Sequence, residues 1–489
     1  MNERVARSFF WMAWSRGVLQ VLSFGSTLVV ARLLHPADYG LIALAAISTN
    51  MVGLLSEMGL GAAIIQYRDL DDNELNGCFW VTLGIAVIGY VTLCLAASTI
   101  AAWFETPRLA PVMIAIGATL PLSAARVVPD GLLRRRLELD KVSKAEIASS
   151  VASIPAVLGL AWAGAGVWAL VSGVLVLAVV QTVASFWFVR WVPGFSVASR
   201  RFREIMRFSL ATLGMRISWA AYDQSDAFVL GKVSGDAALG FFAMAKQVAI
   251  LPVTKVAVVV NQLATPILAG YQEDRSAMRD SFLKGIRLVG CLTLPLTVGM
   301  ALEADDLVLV VLTDKWAPMV PILQLLSLYT LVHSLDVFLP SVLLARFRAG
   351  FLFRWTMALL LVMPLAFWAG AATWGGTGVA LGWSVVYPCL TFSIAREALR
   401  ELDLDWRTVG EQLTPLIRPA LWLVVAVLAV RSGIPGVDIG TRALRLVAAS
   451  AAGAAVYALA VSWRPGTVGG ELWTATVEVW RTGSRKAAV

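Results

Sequence analysis

The stretch VTLGIAVIGYVTLCLAASTIAAW, residues 81–103, carries no charged side chain. A helix of about 20 such residues spans the hydrocarbon core of a bilayer. Lipid offers no partner to a backbone N–H or C=O, so a chain built from such runs must close its hydrogen bonds inside helices. Runs of this kind recur along all 489 residues, which are 58% hydrophobic and 15% charged. Soluble domains lie nearer about 45–50% apolar and about 25% charged. The pattern predicts helices over 10–34, 39–64, 77–103, 109–133, 146–164, 166–189, 208–231, 237–266, 281–302, 318–345, 353–371, 376–395, 416–431 and 443–463. The expected fold is an all-α polytopic membrane protein of about 14 transmembrane helices.

An even number of spans puts both termini on one side of the membrane. Most of the 40 Lys and Arg residues fall on that side, which is therefore the cytoplasm. The strongest inside signals are RRRLELDKVSK (134–144) and RRFREIMR (200–207). The opening MNERVARSFFWMAWSRGVL lacks a short apolar core with a small-residue cleavage site, so no cleaved signal is expected. No loop is long enough for a separate soluble domain. The two largest, near 190–207 and 396–415, are cytoplasmic, and 200–209 and 397–409 could lie in the interface as amphipathic helices. GGTGVALG (375–382) resembles a nucleotide-binding loop but follows no strand, so its glycines are expected to serve close helix packing. EADDLVLVVLTDKW (303–316), the acidic outer loop, reads as a short helix joining two spans. Cys78, Cys94, Cys291 and Cys389 sit in apolar runs without metal spacing, and no metal or cofactor is expected.

The chain also repeats itself. Residues 16–45 align without gaps to 216–245, pairing Arg16 with Arg216, Arg32 with Lys232, Ala37 with Ala237 and Gly40 with Gly240. Residues 111–136 align to 321–346 with a slightly different offset. The domain reading is a first six-helix lobe at 1–190, a linker at 191–207 and a second six-helix lobe at 208–396. A linker at 397–415, an accessory helix pair at 416–463 and a cytoplasmic tail at 464–489 follow. Transporters built from parallel repeats bind substrate between the halves and rock one against the other.

A charge near the bilayer centre costs about 2.5–3.5 kcal/mol on insertion scales, so it normally faces a cavity or a partner. Arg16 and Arg216 begin the first helix of each lobe at matching depth and lead the candidates for an anionic substrate, with Lys246 and Lys255 next. Asp223 and Asp226 are neighbours at i, i+3 on a predicted helix. They could hold a coupling ion, or be neutralised by Lys246 and Lys255; Glu57 is a third acid of this kind. Arg126 and Arg287, near cytoplasmic helix ends, are expected to snorkel. His333 and Asp336, three apart, are expected to form a structural hydrogen bond, with a proton-relay role as the less favoured alternative. Trp219 and Tyr222 could stack on sugar rings.

Specific strings then carry a family resemblance. ARLLHPADYGLIALAAISTNMVGLLSEMGLGAAIIQYRDL (31–70) resembles the opening of the polysaccharide transporter family of bacterial repeat-unit flippases, with its P-x-D-[YF]-G turn, acid-bearing helix and GLGAAIIQ. GLLRRRLELDKVS (131–143), GDAALGFFAMAKQVAILPVTKV (235–256) and DKWAPMVPILQLLSL (314–328) resemble later segments of that family, so the similarity spans roughly residues 10–395. The family lies in the superfamily of multidrug, oligosaccharidyl-lipid and polysaccharide exporters. The resemblance implies a non-enzymatic, multi-pass protein of the bacterial inner membrane that flips undecaprenyl-pyrophosphate-linked oligosaccharide for exopolysaccharide, capsule or O-antigen synthesis. Alternating access coupled to H+ or Na+, and work beside a polysaccharide polymerase and chain-length or export machinery, belong to the same implication. A drug or small-solute antiporter of the superfamily, and a membrane glycan polymerase or ligase, remain as alternatives. Nothing in the chain suggests nucleic-acid binding.

Overall fold

The structure is a computed structural model, and it describes residues 22–57, 60–67, 70–195, 213–214, 216–270 and 274–462; the side chains of residues 62 and 254–270 fall outside the description. Among the described residues the regular structure is entirely helical, and eleven stretches are long and apolar enough to cross a membrane. Two of these, Arg216–Val253 and Ala349–Glu401, each cover a pair of predicted helices. Each is broken where the pair was expected to part, at Gly235 and at Trp374–Gly375. The predicted helix 10–34 is described only as Leu22–Leu33. The chain divides into two compact units, Met1–Ala243 and Met244–Val489.

The first unit contains α1 (Leu22–Leu33), α2 (Pro36–Glu57), α3 (Leu60–Gln66), α4 (Asp72–Trp103), α5 (Leu109–Gly117), α6 (Thr119–Arg135), α7 (Leu139–Trp162), α8 (Val167–Val189), α9 (216–223) and the start of α10 (Ser225–Gly270). Two helices start earlier than hydropathy suggests, because polar caps define them. Asp71 and Glu74 form a reciprocal capping box, the Asp71 carboxylate accepting from the Glu74 N–H at 2.7 Å, so α4 begins at Asp72 rather than near 77. In PADYG, Pro36 occupies the first helical position of α2, where no N–H is needed. The Asp38 carboxylate accepts from the His35 N–H at 3.0 Å, and the buried Asp38 thus fixes the entry of the chain into α2.

Gly40 explains the last position of that motif. A Cβ on Gly40 would overlap the backbone carbonyl of Asp236, and a Cβ on Gly240 would overlap that of Pro36. The two aligned turns therefore interlock reciprocally, main chain against main chain. A core of Leu60, Ile64, Leu75, Phe79, Val128 and Leu132 joins α3, α4 and α6.

The second unit holds the rest of α10, then α11 (Arg275–Leu302), α12 (Ala304–Val311), a 3-10 turn (Asp314–Met319), α13 (Val320–Asp336) and α14 (Leu339–Ala345). It continues with α15 (Ala349–Leu381), a π turn (Gly382–Val386), α16 (Tyr387–Glu401), α17 (Trp406–Gly433) and α18 (Ile439–Ser462). The acidic stretch 303–316 forms the short helix α12, as its sequence suggested. Residues 397–409 are no separate interfacial helix: α16 runs to Glu401, Asp403 turns with φ 51°, and α17 starts at Trp406. Residues 200–209 lie outside the described residues. The glycines of 375–382 do serve packing, since Gly378 abuts the backbone of Gly370. α17 and α18 pack on each other and on α11, where the Tyr457 hydroxyl donates to the Cys291 carbonyl at 3.0 Å.

Unusual backbone recurs at related positions of the two units. Leu137 (φ 57°), between α6 and α7, aligns with Phe347 (φ 58°), between α14 and α15. Gly166 (φ 56°, ψ −131°) opens α8, and Gly375 (φ 56°, ψ −134°) breaks α15 at the corresponding turn. Left-handed φ at a leucine or phenylalanine is uncommon and costs strain, and here it falls at two positions that the sequence alignment pairs.

Candidate functional site

A polar cavity of about 820 Å³ in the first unit lies among α2, α3, α6 and α9. Its ionisable lining comprises Glu57, Arg126, Asp130, Arg134 and Arg216, with Gln224 and Asn50 as neutral donors and acceptors. α6 contributes Arg126, Asp130 and Arg134 at i, i+4, i+8, one stripe of a helix. Two of the arginines are paired. Arg216 Nη2 lies 3.0 Å from Glu57 Oε2, and Arg126 Nε lies 3.2 Å from Asp130 Oδ2. The Ser185 hydroxyl donates to Asp130 Oδ1 at 2.7 Å, holding that carboxylate toward Arg126. Arg134 forms no salt bridge among the described residues. Three guanidinium groups over two carboxylates leave the lining net cationic. Arg216 and Glu57 keep roughly 40% and 35% of their side-chain surface, so a ligand can reach both.

Of the residues proposed from sequence, the structure brings Arg216 and Glu57 together and sets them in this cavity. Arg16 lies outside the described residues. Lys255 falls within α10, but its side chain lies outside the description. Lys246 is half-buried in the second unit, its Nζ 5.1 Å above the Trp383 ring, a cation–π contact. A turn at Gln224 separates Asp223, which is exposed, from Asp226, which is buried, with Asp226 Oδ1 accepting from the Ala227 N–H. Trp219 is half exposed while Tyr222 is buried against it. Arg126 is corrected: it does not snorkel but pairs inside the cavity. Asp130 and Arg134 were missed as site residues. RRR at 134–136 read as a topology signal, yet the four-residue spacing of Arg126, Asp130 and Arg134 was available to find them.

The broken membrane helices and the cationic cavity of the first unit fit the class of polytopic membrane transport proteins. The family model described as "Polysaccharide biosynthesis protein" matches residues 29–321, and the chain belongs to that family. It is 24% identical to "Lipopolysaccharide biosynthesis protein WzxC" of Escherichia coli (strain K12), over 79% of either chain. It is 24% identical to "Succinoglycan biosynthesis transport protein ExoT" of Rhizobium meliloti (strain 1021), over 94% of this chain and 93% of that one. Its fold is similar to that of the lipid II flippase MurJ in an inward closed conformation, with a TM-score of 0.75 at 12% identity, covering 93% of this chain and 98% of that one.

Proposed function

We propose that the protein flips a pyrophosphate-linked, undecaprenyl-anchored oligosaccharide repeat unit from the cytoplasmic to the periplasmic face of the inner membrane, for exopolysaccharide, capsule or O-antigen synthesis. The arginine-lined cavity carries this reading. A pyrophosphate needs several fixed cations, and guanidinium forks bind its oxygens in pairs. Arg126, Arg134 and Arg216 are the proposed contacts, with Arg16 as the repeat counterpart of Arg216. Lys246 and Lys255 are further cations along α10. The isoprenoid tail stays in lipid while the sugar head enters water. Glu57 and Asp130 hold their arginines in place when the cavity is empty and yield them to a more highly charged ligand. The step is translocation, with no covalent change in the substrate. Both termini are proposed to face the cytoplasm, on the side that receives newly made lipid-linked sugar.

The reading is tested in a strain lacking the gene. Polymer export should fall and lipid-linked repeat units should accumulate, and the intact gene should restore export while an Arg126→Ala, Arg216→Ala double variant should not. Normal export with no accumulated intermediate in the deletion strain overturns the proposal.

A further inference from the structure

The second unit contains a buried titratable cluster that the proposed substrate path does not use. Asp336 ends α13, is buried, and is engaged through both carboxylate oxygens. The Tyr387 hydroxyl donates to Asp336 Oδ2 at 2.7 Å, and His333 Nδ1 lies 3.1 Å from Asp336 Oδ1. The same hydroxyl lies 3.4 Å from His333 Nδ1, so the three groups form a closed triangle. Tyr329 stacks on the imidazole, with centroids 5.4 Å apart and planes 9° from parallel. Trp383 packs on Tyr329 and Tyr387 and carries Lys246 over its ring. From α11, Arg287 follows Ile286, which lines the same cavity as Asp336.

Three observations set this cluster apart from an ordinary buried pair. The backbone is irregular on both sides: α13 stops at Asp336 before α14 resumes at Leu339, and the π turn 382–386 leads directly into Tyr387. π turns are rare, and they recur at functional sites. Secondly, a cavity of about 240 Å³ reaches Asp336 and is otherwise lined almost wholly by apolar groups. The exception is Thr391, whose buried hydroxyl has no hydrogen-bond partner. Thirdly, the repeat places Asp336 at the position of Arg126, and His333 at that of Ser123. One register therefore supplies a cation facing the cavity of the first unit and a carboxylate–imidazole pair in the second.

We propose that Asp336, with His333 and Tyr387, is a proton-binding site that couples transport to the proton gradient. The inference rests on the transport reading above, and it moves the coupling role away from Asp223, Asp226 and Glu57. Imidazole is the side chain that exchanges its proton near neutral pH. One added proton takes the cluster from a carboxylate beside neutral imidazole to a neutral whole, held either as imidazolium–carboxylate or as carboxylic acid–imidazole. No bond other than the N–H or O–H forms. In a low dielectric that change of charge alters how firmly Tyr387 is held, and with it the break between α13 and α14 and the π turn.

The full-length protein in detergent is examined by infrared difference spectroscopy between acidic and mildly alkaline pH. In a Glu303→Gln background, which removes the other carboxyl held near neutral pH, a carboxyl or carboxylate band that changes with pH should be present, absent on adding Asp336→Asn, retained on adding Asp223→Asn, and shifted on adding Tyr387→Phe, which keeps the ring packing should Asp336→Asn fail to fold. A band that survives unchanged in both Asp336→Asn and Tyr387→Phe overturns the site. In proteoliposomes supplied with lipid-linked oligosaccharide, a pH gradient should accelerate translocation by the parent protein and lose its effect on His333→Gln and Asp336→Asn. An undiminished gradient response in the variants, or a response of the parent protein to sodium and not to protons, overturns the coupling. Absence of translocation by the parent protein under every gradient overturns the transport reading and its coupling together, while the infrared titration still decides whether Asp336 binds a proton.

Discussion

At the scale of single residues, the first unit is governed by compensation. Arg216 and Glu57 are each half exposed, so their pair contributes little to stability, about 1 kcal/mol or less. Its removal should register in transport instead. Glu57→Gln leaves Arg216 without its counter-ion, and substrate affinity should rise while release slows, measured as tighter binding of a pyrophosphate-bearing lipid with lower export. Arg216→Ala should weaken that binding without lowering the thermal unfolding midpoint in detergent. How far these residues were legible follows the same logic. Arg216 stood out because no membrane helix carries an arginine idly. Arg126 was misread because proximity to a helix end does not reveal Asp130 one turn later, which pairs with it, or Ser185 on α8, which holds Asp130 in place. Asp223 and Asp226 differ in a way their i, i+3 spacing does not reveal: a turn at Gln224 stands between them, and the first is exposed while the second is buried.

At the scale of elements, the attachment of α17 and α18 depends on charge. Arg445 pairs with the fully buried Asp306, and Arg431 with Asp305 at 2.7 Å, tying both helices to α12. Arg445→Ala leaves Asp306 with only the longer contact to Arg442 Nη1 at 3.9 Å, so the variant should lose stability and loosen α18, read as faster amide exchange there. Glu303, in the turn between α11 and α12, is buried beside Asp305 and Asp306, and burial pushes its carboxyl up to about 7 despite the nearby Arg431. A carboxyl raised on folding stabilises most while it is protonated. That contribution is complete below about 4.5, the ordinary value, and is lost as pH rises through about 7. The unfolding midpoint should therefore fall across that window, and Glu303→Gln should flatten the fall. In α15, Gly375 has φ 56° and ψ −134°, a region open to glycine alone. Gly375→Val should cost about 1–3 kcal/mol of stability, visible as a lower unfolding midpoint.

At the scale of the whole molecule, class and most helix positions were legible because bilayer thickness sets one length and lipid forbids unpaired backbone. α8, expected at 166–189, spans Val167–Val189 on hydropathy alone. The ends that moved are those set by polar chemistry, such as the capping box of α4 and the proline start of α2. The breaks inside long helices were legible where a glycine marks them, at Gly235 and Gly375. The π turn before Tyr387 was not, since GWSVV holds nothing that distinguishes it from α-helix. The internal repeat was visible as matched hydropathy, and the paired left-handed residues Leu137 and Phe347 give it a backbone counterpart.

The interlocked turns at Gly40 and Gly240 behave as a bearing surface. Bare main chain meets bare main chain there, so no rotamers need re-sorting when the faces part and meet again. Such a joint cannot be tuned gradually: the smallest side chain on either glycine props it open. Gly40→Ala and Gly240→Ala should each trap the protein with that joint sprung, giving normal membrane levels but poor export. Because each glycine meets a carbonyl of the turn that carries the other, Asp236 for Gly40 and Pro36 for Gly240, the two substitutions together should do scarcely more harm than either alone.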